Sequence, residues 1–356
     1  MEYRDLMRFL EKENLFDYVK DNAFYFQSIL KNSLNMKKGN VIIISDLGKK
    51  DFRASILTAS SYYYAAMRLD LSPKLIIQAI KKKGEIADQE VIDAFSKIEK
   101  KSTIIISTSG YLGSTHEVTK SFRKFCREKK HKFISTTGLL ELPTKKFPKL
   151  IECMDVDYKK MYKRAKKIKK ILDKGKILKV QTMAGTNLIA SIKGMKAVLN
   201  VGLYKKPGQG GNLPAGEVYI PPEKDKVNGK VVVDGSLRHS GGTVLIKKPF
   251  CLTVRDGSVT NIEETPQSKK LIQTLKDAEK RAKYPENVRK VGEIGFGINP
   301  RAGIIGPNLI NEKTHGTAHI ALGSNAWFGG QIYSIIHLDQ VFKKPKVIVD
   351  DKLLII

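Results

Sequence analysis

Four short, continuous apolar runs in the first half of the chain constrain its fold more than any other feature. Helical periodicity separates the runs, which are Val41–Ser45, Lys74–Ile77, Thr103–Ser107 and Lys132–Ser135. Strands that are apolar throughout are buried on both faces, and their alternation with helices is typical of a helix-covered parallel sheet. We therefore predict an α/β three-layer domain for residues 1–175.

The second half has a different composition, rich in glycine, asparagine and proline, with short alternating segments. A basic helical segment near 157–174 ends at Lys174-Gly175, an ordinary glycine stop, and marks the boundary. One further helix is predicted near 266–283. These patterns predict an α+β domain with a largely antiparallel sheet over residues 176–356.

Two histidines and an aspartate stand in apolar, β-branched runs near the C-terminus. His337 and Asp339 are two residues apart in a predicted strand, so both side chains point to the same face. His319 lies in a second such run. Burying imidazoles and a carboxylate among aliphatic side chains is costly without a partner, and a metal ion is a common one. The pattern favours a metal site.

Two glutamates are candidates for the same site, because each is the only charge in an apolar, glycine-flanked window. They are Glu217 and Glu293. A cation would keep a buried carboxylate ionised, although an exposed strand position or a buried ion pair would also explain either residue alone. Likewise, His319 alone could be a hydrogen-bonded core histidine. As a set, carboxylates and imidazoles suit Zn, Mn, Fe or Co better than Ca or Mg.

Glu312 precedes His319 by seven residues and could act as a general base or proton carrier near such a metal. The alternative is that Glu312 forms a surface pair with the neighbouring lysine. We predict a catalytic role for Glu312.

Six segments of the second half resemble a known family, the thermophilic-type metallo-aminopeptidases (the aminopeptidase T and aminopeptidase S group), and more closely its archaeal and bacterial leucyl aminopeptidase-like branch. The segments are Gly185–Leu188, Asn212–Glu217, Gly292–Gly295, Glu312–Lys313, Gly316–Gly323 and Ile336–Asp339. The resemblance implies a metal-dependent exopeptidase, a hydrolase and metalloprotease that removes N-terminal residues. It also implies a homodimer, a peptide or small-molecule substrate and one or two Zn, Co or Mn ions per chain. Carried over by position, the family's ligands fall on Glu217, Glu293, His319, His337 and Asp339.

The sequence departs from the peptidases at two positions. Ala326 stands where they have a metal-ligating tyrosine, and Asn187 stands where an aspartate is common. An alternative follows, because the branch is also similar to 2,5-dihydroxypyridine dioxygenase, which uses one iron held by two histidines and an aspartate. In that case His319, His337 and Asp339 would hold the iron.

The formal net charge of +28 suggests a polyanion partner at first sight. The densest lysine run, between Lys159 and Lys176, has apolar residues at three- and four-residue steps, which indicates a solvated face on a packed helix. We therefore favour the absence of a nucleic-acid partner, and the alternative is a non-enzymatic polyanion-binding protein that uses this helix. Lysine enrichment also fits a thermophile's surface. No membrane-spanning or secretory segment is evident, and three scattered cysteines do not indicate disulfides. A cytoplasmic protein is expected.

Overall fold

The computed structural model describes residues 1–356, which divide into two compact units. The first comprises Met1–Tyr158 and Gly202–Pro214, and the second comprises Lys159–Val201 and Ala215–Ile356. The division of the sequence near residue 175 differs from these units in two ways. The basic helix belongs to the second unit, and a short segment after residue 201 returns to the first.

Nineteen strands and nine α-helices make up the chain. The strands are β1 (Asn40–Ser45), β2 (Ser72–Ile77), β3 (Thr103–Ser107), β4 (Lys132–Thr136), β5 (Ile177–Gln181), β6 (Asn187–Ser191), β7 (Val198–Asn200), β8 (Gly210–Asn212), β9 (Glu217–Ile220), β10 (Val227–Val233), β11 (Ser236–His239), β12 (Gly242–Leu245), β13 (Phe250–Arg255), β14 (Ser258–Ile262), β15 (Val291–Gly297), β16 (Thr317–Gly323), β17 (His337–Lys343), β18 (Lys346–Val349) and β19 (Lys352–Leu354). The helices are α1 (Tyr3–Lys12), α2 (Phe16–Asn32), α3 (Ala54–Met67), α4 (Gln89–Lys97), α5 (Phe122–Glu128), α6 (Phe147–Met154), α7 (Tyr158–Leu172), α8 (Ser268–Arg281) and α9 (Asn308–Asn311). Short 3-10 turns lie at Leu139–Glu141, Thr144–Lys146, Pro285–Asn287 and Ala326–Phe328.

The first unit contains a five-stranded sheet in the order β2-β1-β3-β4-β8. All of its strand pairs are parallel. The four predicted apolar runs correspond to strands β1 to β4. Helix α3 is buried along nearly its whole length, which suits its many alanine and serine residues. The predicted α/β architecture with a parallel sheet is confirmed.

The second unit contains two seven-stranded sheets. Their orders are β14-β13-β10-β6-β5-β18-β19 and β12-β11-β17-β16-β15-β9-β7. Every strand pair in both sheets is antiparallel. The predicted α+β class of the C-terminal domain is confirmed. The second of these sheets carries the candidate site, and we call it the site sheet.

The basic helix α7 buries a single apolar stripe, while most of its lysines are exposed. The stripe consists of Met161, Ala165, Ile168 and Leu172, at the helical spacing that the sequence shows. This arrangement agrees with a solvated lysine face on a packed helix. No helix in the structure has both the length and the apolar character that crossing a bilayer requires.

Candidate metal centre

Four adjacent strands of the site sheet bring the candidate side chains onto one face. In the register, Asp339 of β17 is opposite Ala321 of β16, and His319 of β16 is opposite Gly295 of β15. Glu293 lies two residues before Gly295, so alternation places it on the same face. Strand β9 adds Glu217, and β17 begins with His337. The prediction that His337 and Asp339 share a strand is confirmed.

Small residues between these side chains leave room on the face. Gly295 is the clearest case, since a Cβ atom there would lie 2.1 Å from Nε2 and 2.3 Å from Cε1 of His319. The imidazole of His319 therefore lies directly over a backbone position that tolerates no side chain. His319 itself is fully buried.

The side chains of His319, Glu293, His337 and Asp339 form a chain of contacts in that order. His319 Nε2 lies 3.0 Å from Glu293 Oε1, and His337 Nε2 lies 3.6 Å from Glu293 Oε2. His337 Nε2 is also 3.4 Å from Asp339 Oδ1. Glu293 and Asp339 are buried, with 5% and 7% of their surfaces exposed. Two overlapping sets of potential ligand atoms result, Glu217 with Glu293 and His319, and Glu293 with His337 and Asp339, each within 4.8 Å.

A buried lysine completes the polar cluster. Lys313 has no exposed surface, and its Nζ lies 3.1 Å from Glu217 Oε1 and also donates to Glu312 Oε1. Asn200 Nδ2 donates to the same Glu217 oxygen at 2.9 Å. Asn308 Nδ2 links the rest of the cluster, because it donates to Glu312 Oε2 and, at 2.8 Å, to Asp339 Oδ2.

The carboxylates raise the pKa of both imidazoles. Burial on its own lowers the pKa of His319, but the hydrogen bond with Glu293 and the charge of Asp339 outweigh it and raise the pKa to about 9. Burial likewise lowers the pKa of His337, but the charge of Asp339 outweighs this effect and raises the pKa to about 10. The site therefore attracts positive charge strongly, whether a proton or another cation carries it.

The acidic groups respond to burial in different ways. Burial raises the pKa of Glu312 to about 8, and Lys313 only partly opposes this effect. Burial also raises the pKa of Glu293, against the opposing effect of His319. Burial alone would raise the pKa of Asp339, but His337 outweighs it and holds this pKa well below the ordinary range. In Lys313, the neighbouring carboxylates outweigh burial and raise the pKa.

The donor set fits a bound metal ion. The Nδ1 atom of His337 lies 2.9 Å from the carbonyl oxygen of Ser324, and a carbonyl can only accept, so Nδ1 carries a proton. In the neutral ring, Nε2 is then an acceptor that faces acceptor oxygens of Glu293 and Asp339. Such an arrangement is repulsive unless a second ring proton or a metal ion lies between Nε2 and these oxygens. A hydrogen bond from the far ring nitrogen to a carbonyl is also the usual way in which a metal-binding histidine is oriented.

An aromatic loop over residues 324–336 borders the cluster. The ring of Trp327 lies 4.7 Å from the ring of His337, and Trp327 is 55% exposed. Asn325 anchors the loop, because its Nδ2 donates to Gly292 O at 2.9 Å and its Oδ1 accepts from Ile332 N at 2.8 Å. The loop therefore presents an aromatic face beside a candidate ligand.

Sequence reasoning found most of this cluster but not all of it. The structure brings together all five predicted ligands, and it buries Glu312 in the cluster, not in a surface pair. The sequence did not point to Lys313, Asn200 or Asn308. Lys313 follows a glutamate in a polar stretch that carries no sign of burial. Asn187 lies on β6, in the other sheet of the second unit.

Comparison with known proteins identifies the family. A model of the NicX family, described as 2,5-dihydroxypyridine 5,6-dioxygenase, matches residues 146–356, more than half of the chain. The 2,5-dihydroxypyridine 5,6-dioxygenase of Pseudomonas putida KT2440 is 25% identical over 200 residues. That alignment covers 52% of this chain and 54% of the relative, so the chain spans about half the length of this curated relative.

Two solved structures share the fold. The 2,5-dihydroxypyridine dioxygenase from Pseudomonas putida KT2440 has a TM-score of 0.72 at 16% identity and covers 95% of this chain and 96% of that chain. Wild-type AmpT from Thermus thermophilus has a TM-score of 0.62 at 14% identity and covers 93% of this chain and 95% of that chain. At such identities the likeness establishes architecture only.

These matches correct the predicted function. The aminopeptidase prediction, with its hydrolase and protease activities, is wrong, because the family model and the curated relative are both dioxygenases. The resemblance to aminopeptidase T extends to the fold, as the AmpT structure shows, and not to the family. The chain belongs to the NicX family of 2,5-dihydroxypyridine 5,6-dioxygenases.

Proposed function

We propose that this protein is a metal-dependent dioxygenase that opens a dihydroxylated nitrogen-containing aromatic ring, with 2,5-dihydroxypyridine or a close analogue as substrate. One observation carries the proposal. His319 and His337 both contact Glu293 on one face of the site sheet, and Asp339 lies beside His337, all within the residues that the family model matches. Two histidines and one carboxylate with open coordination positions are the ligand set of non-haem iron oxygenases.

Ferrous iron is the ion that we propose for these three residues. Bound iron would supply the redox chemistry with dioxygen that amino-acid side chains lack. The protein's own part is to orient the ligands. The Ser324 carbonyl fixes the ring of His337, and Asn308 holds one oxygen of Asp339. The glycine at position 295 makes room for the ring of His319.

Two buried glutamates can accept protons from a hydroxylated substrate and donate them back. Glu293 contacts both imidazoles, and Glu312 is joined to Asp339 through Asn308. With a pKa of about 8, Glu312 holds a proton at neutral pH and can release it as the pH rises. We retain Glu312 as the proposed proton carrier.

The aromatic loop supports a planar substrate. The ring of Trp327, a residue that is 55% exposed, lies beside His337, and offset stacking on an aromatic ring is favourable for a planar heterocycle. A small-molecule substrate is therefore part of the proposal. The homodimer and the absence of nucleic-acid and membrane partners remain predictions from sequence.

Dioxygen labelling tests the proposal. The protein is loaded anaerobically with ferrous iron, and 2,5-dihydroxypyridine and ¹⁸O-labelled dioxygen are added. We expect oxygen uptake and a ring-opened product that carries both labelled atoms, with loss of both in Asp339→Ala. His116→Ala is the matched control, because His116 is an exposed histidine of the other unit and should leave uptake unchanged. An iron-loaded protein that consumes no oxygen with this substrate or its hydroxylated analogues would refute the proposal.

A further inference from the structure

A cavity of about 390 Å³ lies within the first unit. All of its lining residues belong to that unit, so none of them is part of the candidate metal centre. Ile106 of β3 and Ser135 of β4 line it, and these two residues are register partners near the carboxyl ends of their strands. In open parallel sheets, small ligands bind at this end of the strands. The volume also falls within the range of about 300–1,000 Å³ that is usual for small-molecule sites.

The lining of this cavity, which we call the basic cavity, contains cations but no acid. Lys82, Lys83 and Arg123 contribute to it, and no aspartate or glutamate does. Glu85, on the same connection as the two lysines, accepts from the backbone N–H of Lys82 at 2.7 Å and is not a lining residue. Charges of one sign around a concave space attract a counter-charge more strongly than on an open surface, because the protein walls focus the field. The basic cavity therefore favours an anionic ligand.

Three aromatic rings also line the basic cavity, and they belong to Tyr111, Phe122 and Phe133. Tyr111 is exposed and Phe122 is only partly buried, so ring surface is available to a ligand. Arg123 joins the charges to the rings, because its Cζ atom lies 5.6 Å from the centre of the Phe133 ring. The N–H donors of a guanidinium lie in its own plane, so a guanidinium on a ring face can still bind a carboxylate.

The walls of the basic cavity are formed without a ligand. Two backbone hydrogen bonds join the connection after β2 to the connection after β3, from Ser114 N to Glu85 O at 2.8 Å and from Ala87 N to Ser114 O at 3.0 Å. Gly113 lies in the same contact, since a Cβ atom there would be 2.7 Å from Ala87 N. A preformed site loses less conformational entropy when a ligand binds.

We propose that the basic cavity binds a small planar aromatic carboxylate, with its ring against Tyr111 and Phe122 and its carboxylate on Arg123 and Lys82. A carboxylate suits Arg123, because a guanidinium can donate two parallel hydrogen bonds to it. The aromatic side chains favour a ring over an aliphatic body, through offset or edge-on ring contacts. This second ligand site is independent of the proposed function, since it involves neither a metal ion nor a residue of the site sheet.

Calorimetric titration of the metal-free protein with naphthalene-2-carboxylate tests the inference. We expect a Kd of about 1 mM or tighter, which is ordinary for a ligand of this size. Naphthalene-2-carboxamide has the same shape without the charge, and inorganic phosphate has the charge without the ring. Each should bind at least about tenfold more weakly than the carboxylate. A carboxylate that does not bind below about 10 mM, or an amide or phosphate that binds as tightly, would overturn the inference.

Substitutions locate the bound carboxylate. Arg123→Gln should weaken its binding at least about tenfold, because the variant removes a charged donor. Arg127→Gln is the matched control, since Arg127 is an exposed arginine of the same helix, α5, that does not line the cavity. Lys82→Gln should also weaken binding, and this readout does not depend on the folding of α5.

Trp327→Ala shows whether the carboxylate occupies the candidate metal centre instead. Trp327 lies on the aromatic loop of the second unit, so binding in the basic cavity predicts an unchanged Kd for this variant. Equal affinities of Arg123→Gln and Arg127→Gln, or weaker binding by Trp327→Ala, would each contradict the assignment of the ligand to the basic cavity.

Discussion

Substitution of Gly295 by alanine is the perturbation whose effect follows most directly from the coordinates. The new methyl group would stand 2.1 Å from Nε2 of His319, far inside van der Waals contact, and that ring is fully buried. Overpacking of this kind costs about 1–3 kcal/mol. Because His319 is one of the proposed metal ligands, displacement of its ring also removes a ligand, and we expect metal affinity to fall by at least about tenfold, which corresponds to about 1.4 kcal/mol.

Two assays separate these effects. Chemical denaturation of the metal-free protein measures the packing cost, and calorimetric titration with Mn²⁺ measures the affinity. Gly303→Ala is the matched control, since its Cβ would meet only Ile305 Cγ2 at 3.6 Å, an ordinary contact. The reasoning is refuted if Gly295→Ala binds the ion as tightly as Gly303→Ala does.

Four further predictions concern protons and the substrate. With pKa values of about 9 for His319 and about 10 for His337, both rings of the metal-free protein are protonated at pH 7. Metal binding should therefore release protons, and metal affinity should rise with pH. Calorimetry in buffers of different ionisation enthalpy measures the number of protons released. The raised histidine pKa values stabilise the metal-free fold fully below the unfolded histidine pKa of about 6.5. The free energy of unfolding of the metal-free protein should therefore fall as the pH rises through about 9 to 10. A free energy of unfolding that does not change over this pH range would contradict the raised pKa values of the two histidines. Glu312→Gln should lower kcat by about 10²-fold and remove a transition near pH 8 from the rate profile, and a profile that keeps the transition would exclude Glu312 as proton carrier. Trp327→Ala should raise KM for 2,5-dihydroxypyridine about tenfold without changing metal content, whereas Trp327→Phe should retain most of the substrate binding. Equal KM values for the wild type and Trp327→Ala would exclude stacking on this ring.

Local patterns in the sequence were sufficient for much of the fold. The run Val41–Ser45 is apolar at nearly every position, and it forms an inner strand of the parallel sheet, where both faces are covered. The i, i+2 spacing of His337 and Asp339 likewise placed both on one face, because side chains alternate in any strand. In each case the evidence lies within a few consecutive residues.

Features that depend on distant contacts were not accessible in this way. Strand β8 joins the sheet of the first unit although its residues, Gly210–Asn212, carry no apolar pattern. Its glycine is required for a tertiary reason, because a Cβ at Gly210 would lie 2.1 Å from Cδ1 of Phe133. Lys313 is buried for a similar reason, since its partner Glu217 is almost a hundred residues away in the chain.

The chemistry was the hardest part to infer. Carboxylates and imidazoles bind hydrolytic and oxidative metal ions alike, so the residue types alone did not separate an aminopeptidase from a dioxygenase. The departure at Ala326 was the informative signal, because it removed a peptidase ligand. In the structure, that position lies in the aromatic loop beside Trp327.

Anomalous diffraction at the iron absorption edge tests the central claim most directly. For crystals grown anaerobically with ferrous iron, we expect one strong peak per chain, about 2.1 Å from Nε2 of both His319 and His337 and in contact with a carboxylate oxygen of Asp339. A peak at some other place on the chain, or none at this cluster under saturating iron, would contradict the account.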